Sequence, residues 1–428
     1  MEMQTTVVGR ERRVQTGWFL KTAGAVWVGL LIATASAAAA NEVDNWNVIA
    51  TSAGAAANQH AAIQPRTYAI MHLAIHDALN ATDRRYTPYL LEESASKDAA
   101  TAAAVAAAAR DTLVALLPNQ EQPVQAAYVS ALAGISDGAS KTSGVQIGQR
   151  AAALILSRRS TDGWNSSASW IAGTLPGQYR PTPPGNAQAA LPHWGNVMPF
   201  TYLDKTRFRS MPPPDLASPE YASALQEMKL IGSDKSTLRT PMQSEIARYW
   251  YEATVQGWNR IARITADDGK LGLWESARLY ALLNTALADA YIASFESKYV
   301  YNFWRPITAI READTDGNFE TTGQFDWNSY LTAPAIPDWP SAHATGGGAA
   351  AEVMAGFFGT DFIEFNMTSG APYAGTTRWF SSFSQAALEN ANSRVLAGIH
   401  FRGSSMAGLE QGQRIGTWVF ANYLRPLR

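Results

Sequence analysis

Cysteine is absent from all 428 residues. Without it the chain forms no disulfide, carries no lipid-modified cysteine, presents no thiol nucleophile and builds no zinc–thiolate site, so its stability must come from its core. Charge is sparse as well: Asp, Glu, Lys and Arg make up 16% of the residues and the formal net charge is −2. That balance gives no general attraction for nucleic acid or anionic lipid, so an anion site has to be assembled locally. Long apolar runs are missing beyond Ala40. The nearest, Ala277 to Phe295, is broken by Arg278 and Asp289, and the mature chain is expected to hold no membrane span. Alternating strand patterns are nearly absent and no internal repeat is evident. What is present is 46% hydrophobic residues, enough for the ample core of one large domain or two ordinary ones.

The segment 1–40 reads as an export signal. Arg10, Arg12 and Arg13 form a basic segment, an apolar run follows from Ala23 to Ile32, and the small residues Ala33 to Ala40 end at Asn41. Cleavage is expected between Ser36 and Ala40, giving a periplasmic or secreted protein. An uncleaved N-terminal anchor is the alternative, because Ala23 to Ala40 approaches spanning length.

The rest divides into two helical halves, residues 41–218 and 219–428. From Trp46 to about Ser157 the pattern is helical, with Ala-rich stretches such as Asp98 to Leu117. Ser160 to Pro219 is rich in Pro and Gly and reads as a long irregular connection that wraps a surface or lines a site. Helical periodicity returns from Pro219 to Lys298, a second irregular stretch covers Asp314 to Trp339, and two further helices are expected to complete the chain. The fold class is all-α.

Three strings in the last third stand out: Lys298-Tyr-Val-Tyr-Asn-Phe-Trp-Arg305-Pro306, Pro340-Ser341-Ala342-His343, and Ser393-Arg394 followed by His400. Each has an ordinary reading alone. Lys298 and Arg305 are seven apart, within about 20° of two helical turns, and so share a face of a helix expected to end at Pro306; that face could simply be solvated. Pro340 or Ser341 would open a helix whose free N–H groups and dipole favour oxyanions, or Ser341 is a plain cap beside a surface histidine. Arg394 and His400, on an expected helix from Gln385 to Phe401, would flank a site, or His400 is a core histidine bonded to a carbonyl. Together the strings supply three cations, two imidazoles, a hydroxyl and a helix N-terminus, the equipment to hold a tetrahedral oxyanion. His72 and His76 have metal-ligand spacing, but no third ligand lies nearby in sequence. The pairs Glu92-Glu93 and Asp267-Asp268 read as solvated faces.

The order and spacing of the three strings resemble the signature of the vanadium-dependent haloperoxidases and of the acid and lipid phosphatases sharing their site, the type 2 phosphatidic acid phosphatase superfamily. Phe303 to Arg311, Ala69 to His72 and His76 to Asn80 extend the likeness to the bacterial haloperoxidase-like branch. The resemblance implies two four-helix-bundle-like halves, with vanadate as cofactor. It implies that Lys298, Arg305 and Arg394 neutralise the equatorial oxygens while Ser341 and the Ala342 N–H donate to them. His400 is then the vanadium ligand or, in a phosphatase, the nucleophile that becomes phosphohistidine, and His343 the general acid–base. Ala342 stands where the signature has glycine, and Ser404 where many relatives have aspartate.

Three functions are therefore expected in order. The first is an exported haloperoxidase using hydrogen peroxide, a halide and an organic acceptor. The second is a periplasmic acid phosphatase acting on phosphomonoesters, and the third an anion-binding protein with little turnover, a reading that rests on Ser404. No nucleic-acid partner is expected.

Overall fold

A computed structural model describes residues 41–427; the leader-like segment 1–40 lies outside the described residues. Residues 41–427 form one compact unit. It contains, among the described residues, the helices α1 (Glu42–Ala56), α2 (Gln64–Thr82), α3 (Thr101–Leu116), α4 (Glu121–Ala133), α5 (Ala139–Arg159), α6 (Pro219–Ile231), α7 (Pro241–Tyr249), α8 (Thr254–Asp268), α9 (Leu273–Tyr301), α10 (Pro306–Arg311), α11 (Ala342–Phe358), α12 (Phe383–Leu396) and α13 (Arg402–Asn422). Among the described residues no helix is long and apolar enough to cross a membrane.

The 29-residue helix α9 organises the rest, and from Ser276 to Phe295 it is buried on every side. A helix apolar all round belongs at the centre of a large core. One flank of α9 meets α2, which packs with α3 and α5; the other meets α11 and α13, with α12 beyond. A single hydrophobic cluster runs through both groups, from Val43 and Ile70 through Leu283 to Val353 and Val419.

The close fit of α13 against α11 has a backbone cause. A Cβ atom at Gly408, Gly412 or Gly416 would fall closer than 3.0 Å to the carbonyl oxygens of Ser341, Thr345 and Ala349 respectively. Glycine every fourth residue lines one face of α13 and lets the two helices touch through their backbones.

Two expectations need correction. The segment after the serine–histidine string holds three helices, not two, and between α11 and α12 a short antiparallel hairpin pairs β1 (Phe365–Thr368) with β2 (Thr377–Phe380). Four-residue strands give too little alternation to be read from sequence. The helical N-terminal stretch is also interrupted from Asp83 to Ala100. There the Asp77 carboxylate accepts from the N–H groups of Tyr89, Leu90 and Leu91, replacing helical hydrogen bonds.

The irregular connection after α5 is pinned to the core by buried carboxylates. Asp162 lies 2.8 Å from both Arg66 Nε and Arg159 Nη2, all three buried. Asp289, in the middle of α9, accepts from the backbone of Phe200 and Thr201 and from the Thr201 hydroxyl. Farther along, Ala190 donates to the Ala335 carbonyl, which joins this segment to the loop beside the serine string.

Candidate oxyanion site

Lys298 and Arg305 do not share a helix. Asn302 adopts φ 45°, a left-handed cap that asparagine tolerates, and ends α9 at Tyr301. Arg305 is extended, as a residue preceding proline must be, and Pro306 opens α10 instead of closing α9. The turn is braced: Tyr179 donates to the Asn302 carbonyl, Trp304 to that of Gly177, and Asp338 to that of Phe303. The two cations still converge. Lys298 Nζ donates to the carbonyls of Pro337 and Asp338 at 2.7 and 3.0 Å. Arg305 Nε donates to Ile336 and Nη1 to Ile399.

Ser341 caps α11, its hydroxyl accepting from Ala344 N, and its own N–H is held by the Ser404 carbonyl at 2.9 Å. As expected, Ala342 is the first helical residue; N–H groups of a first turn have no carbonyl within their helix. His343 follows, its Nε2 2.8 Å from the Trp250 carbonyl. A carbonyl only accepts, so Nε2 carries the proton and Nδ1 is the free lone pair in the neutral ring.

The third string also leaves its helix earlier than expected. Arg394 is in the last turn of α12, which ends at Leu396, and His400 lies on the connection to α13. Gly398 is responsible. Its φ is 78°, and an added Cβ would strike the Gly232 carbonyl, so glycine alone suits the reversal. Arg394 Nη1 reaches the Trp250 carbonyl at 3.4 Å, and its guanidinium stands 5.6 Å from the Tyr251 ring centre.

His400 is held at both nitrogens. Arg305 Nη1 lies 3.0 Å from Nε2, and arginine only donates, so Nε2 carries the lone pair. Ser404 Oγ lies 3.2 Å from Nδ1 and donates its own proton to the Asp338 carbonyl at 3.0 Å. Asp338 Oδ1 is 3.0 Å from Nδ1. Both neighbours of Nδ1 are acceptors, which puts the ring proton there.

The electrostatics are unusual for so deep a place. Lys298, Arg305 and Arg394 are all buried, and the carboxylate among them is Asp338, 3.8 Å from Arg305. Burial, reinforced by Arg305, pushes the Lys298 ammonium well below its ordinary range, and burial lowers Arg394 to about 10. Burial, with the arginines beside them, keeps His343 and His400 neutral by depressing both imidazoles. Asp338 is raised to about 6 by burial, against the pull of Arg305 and Lys298. Arg305 Nη2 and Arg394 Nε are buried without a hydrogen-bond partner. Unpaired guanidinium N–H groups are costly in the interior, and an oxyanion would satisfy them.

A cavity of about 140 Å³ opens here, lined by Ala342, His343, Arg394 and His400, with Tyr291, Phe295, Pro334 and Ile336 as its apolar wall and His60 at its rim. Lys298, Arg305 and Ser341 lie behind that lining, fully buried. Sequence reasoning does not single out Asp338 or His60. The first is an acid beside a motif, the second a lone histidine between α1 and α2; neither carries a pattern. Ile336 does line the cavity, whereas Trp339 faces a separate hollow with Phe303, Tyr221 and Phe401. His72 and His76 are buried in α2, His72 against Asn47 and His76 against Asp77, and no group of three potential metal ligands occurs among the described residues.

The chain is similar to several known proteins. Residues 278–428 match the family described as the VCPO second helical-bundle domain. The vanadium chloroperoxidase of Curvularia inaequalis is 26% identical over 246 residues, 43% of this chain; the match spans 40% of that protein's length. The crystal structure of a bacterial vanadium-dependent iodoperoxidase superposes with a TM-score of 0.78 at 24% identity, covering 90% of this chain and 97% of that one. A bacterial vanadium-dependent chloroperoxidase gives 0.70 at 16% identity, covering 85% and 91%. Residues 278–428 thus match a domain family of the vanadium haloperoxidases, and the chain shares the fold of bacterial vanadium-dependent haloperoxidases.

Proposed function

We propose that this chain is an enzyme that oxidises a halide with hydrogen peroxide, using vanadate held in the cavity beside His400. The observation that carries the reading is the convergence of three buried cations, with orphaned guanidinium N–H groups, on a cavity faced by two neutral imidazoles. A tetrahedral oxyanion fits that donor set. Bound vanadate would supply activation of the peroxide toward the halide.

The roles of the chain's own groups follow from their chemistry. Arg394 faces the cavity and would offer its planar fork to the oxyanion. Arg305 and Lys298 would stabilise its charge from behind, strengthened by the low dielectric. Ser341 and the first-turn N–H of Ala342 would add donors at a helix N-terminus. His400 Nε2 has the lone pair a ligand needs. His343, neutral with Nδ1 unprotonated, is placed to take a proton from an incoming peroxide and return it to the departing oxygen. The apolar wall would hold water back. The basic and apolar character of the segment 1–40 supports action outside the cytoplasm.

A second reading, an acid phosphatase, draws on the same contacts: with Arg305 at Nε2 and acceptors at Nδ1, the ring proton is assigned to Nδ1, and Nε2 would serve as the nucleophile. Passive anion binding has less support, because Asp338 brings a carboxylate within 3.0 Å of His400 Nδ1, where Ser404 brings none.

The test uses protein stripped of anions, with and without orthovanadate, measuring bromination of an activated diketone with peroxide alongside hydrolysis of a chromogenic phosphomonoester. Vanadate should switch bromination on and hydrolysis off. Hydrolysis that vanadate merely inhibits, with no halogenation under chloride, bromide or iodide, would make the chain a phosphatase. Arg394→Lys should weaken orthovanadate binding by roughly 10- to 100-fold, since a charged hydrogen bond is worth about 1.5–3 kcal/mol. Equilibrium dialysis measures this, and unchanged affinity would remove Arg394 from the site.

A further inference from the structure

We propose that Asp338 is the positioning residue of His400: its carboxylate fixes the imidazole as the Nδ1–H tautomer and so keeps the Nε2 lone pair available to the oxyanion. This rests on the proposed function only in assigning His400 to the oxyanion; the tautomer itself is independent of it.

The placement is built from several sides. Asp338 is fully buried, and its backbone is held at three points: its N–H by Phe303, its carbonyl by Lys298 Nζ and by the Ser404 hydroxyl. These braces leave the carboxylate nearest to His400 Nδ1, at 3.0 Å, with the Arg305 guanidinium farther off at 3.8 Å. Neither carboxylate oxygen has a partner in strict hydrogen-bonding geometry, and the 3.0 Å approach of Oδ1 to His400 Nδ1 is the closest contact it makes with a ring or cationic nitrogen. Burying an anion with so few partners is expensive unless it acts on the group beside it. Ser404 spends its single proton on the Asp338 carbonyl and can only accept from Nδ1, so it helps orient the ring without supplying charge. A charged partner for the imidazole thus arrives from the stretch of chain just before Trp339-Pro340-Ser341, remote from His400 in sequence. A carboxylate at the far nitrogen of a ligating or nucleophilic imidazole sets its tautomer and raises its basicity.

The alternative is that Asp338 serves only as a counter-ion to Arg305, and the experiment separates the two. Full-length protein labelled with ¹⁵N-histidine and stripped of anions is examined by NMR. The His400 resonances should report a proton on Nδ1. In Asp338→Asn the ring keeps Arg305 at Nε2 and Ser404 at Nδ1 but loses the carboxylate, and the share of the Nδ1–H tautomer should fall. Orthovanadate affinity, read by equilibrium dialysis, should fall by about 10- to 100-fold in the same variant. The exchange Asp338→Ser with Ser404→Asp returns a carboxylate to Nδ1 from the other side and should restore both tautomer and affinity.

A proton found on Nε2 in the unsubstituted protein would overturn the assignment, and so would an unchanged tautomer and affinity in Asp338→Asn. Should that variant fail to fold, the double exchange decides: tautomer and affinity equal to the parent's uphold the carboxylate's role, and a loss of both overturns it. A chain with the Nδ1 proton that binds no vanadate would sink the functional reading while upholding the positioning.

Discussion

The variant His400→Ala is expected to lose peroxide-dependent halogenation and phosphomonoester hydrolysis together, each by on the order of 10³-fold or more, as for other groups that act as ligand or nucleophile. The two losses should coincide because one nitrogen, Nε2, serves both chemistries. The fold should survive. His400 sits on a connection between helices, and the chain reversal there is made by Gly398, not by the imidazole. The cations proposed to hold the oxyanion are tied independently to the carbonyls of Ile336, Pro337, Asp338, Ile399 and Trp250. The variant should therefore still bind orthophosphate, more weakly, while turning nothing over. Both rates, a thermal melt and phosphate binding on one preparation check this. Activity within tenfold of the parent would dismiss His400 as the reacting group.

The second large effect is on stability. Asp162→Ala should lower the free energy of unfolding by about 3–5 kcal/mol, the usual result of stripping a buried ion pair of one partner. Here one carboxylate serves two buried guanidiniums, Arg66 and Arg159, and its removal leaves both in the interior with only neutral partners. Arg66 retains the Arg159 carbonyl, and Arg159 retains the carbonyls of Met198 and Pro199 and its place over the Phe200 ring. Those neutral contacts soften the loss without cancelling two charges. The same carboxylate also accepts from Trp164 N, so the connection should loosen before the helices do. Urea unfolding followed by near-ultraviolet and far-ultraviolet signals measures both. A change below about 1 kcal/mol would show the pairing to be dispensable.

The three strings are legible because their residue types and order are restrictive, and the Ala-rich helices because propensity and periodicity agree there. Local geometry is what the sequence hides. Lys298 and Arg305 look like one helical face until Asn302 turns left-handed, and Pro306 reads as a stop although proline is equally a start. Arg394 and His400 look like one helix until Gly398 reverses the chain. In both cases the residues converge through tertiary packing, which no spacing rule reports. Asp338 is invisible for a related reason: its partner is His400, far along the chain, and a single acid has no periodicity. The joining of Arg66 to the distant Asp162 is hidden likewise.

The glycine face of α13 has a consequence for selectivity. It presses α13 against the backbone of α11 from Ser341 onward, and α13 begins at Arg402, just past His400. The hydroxyl end and the imidazole end of the cradle are thus fastened to two helices in backbone contact, which resists expansion around a guest. On the proposed function, orthophosphate and orthovanadate then compete for the same berth with little help from induced fit. Loading would then be a matter of supply: the ratio of the two oxyanions in the surrounding medium would set the fraction of the population that carries vanadate.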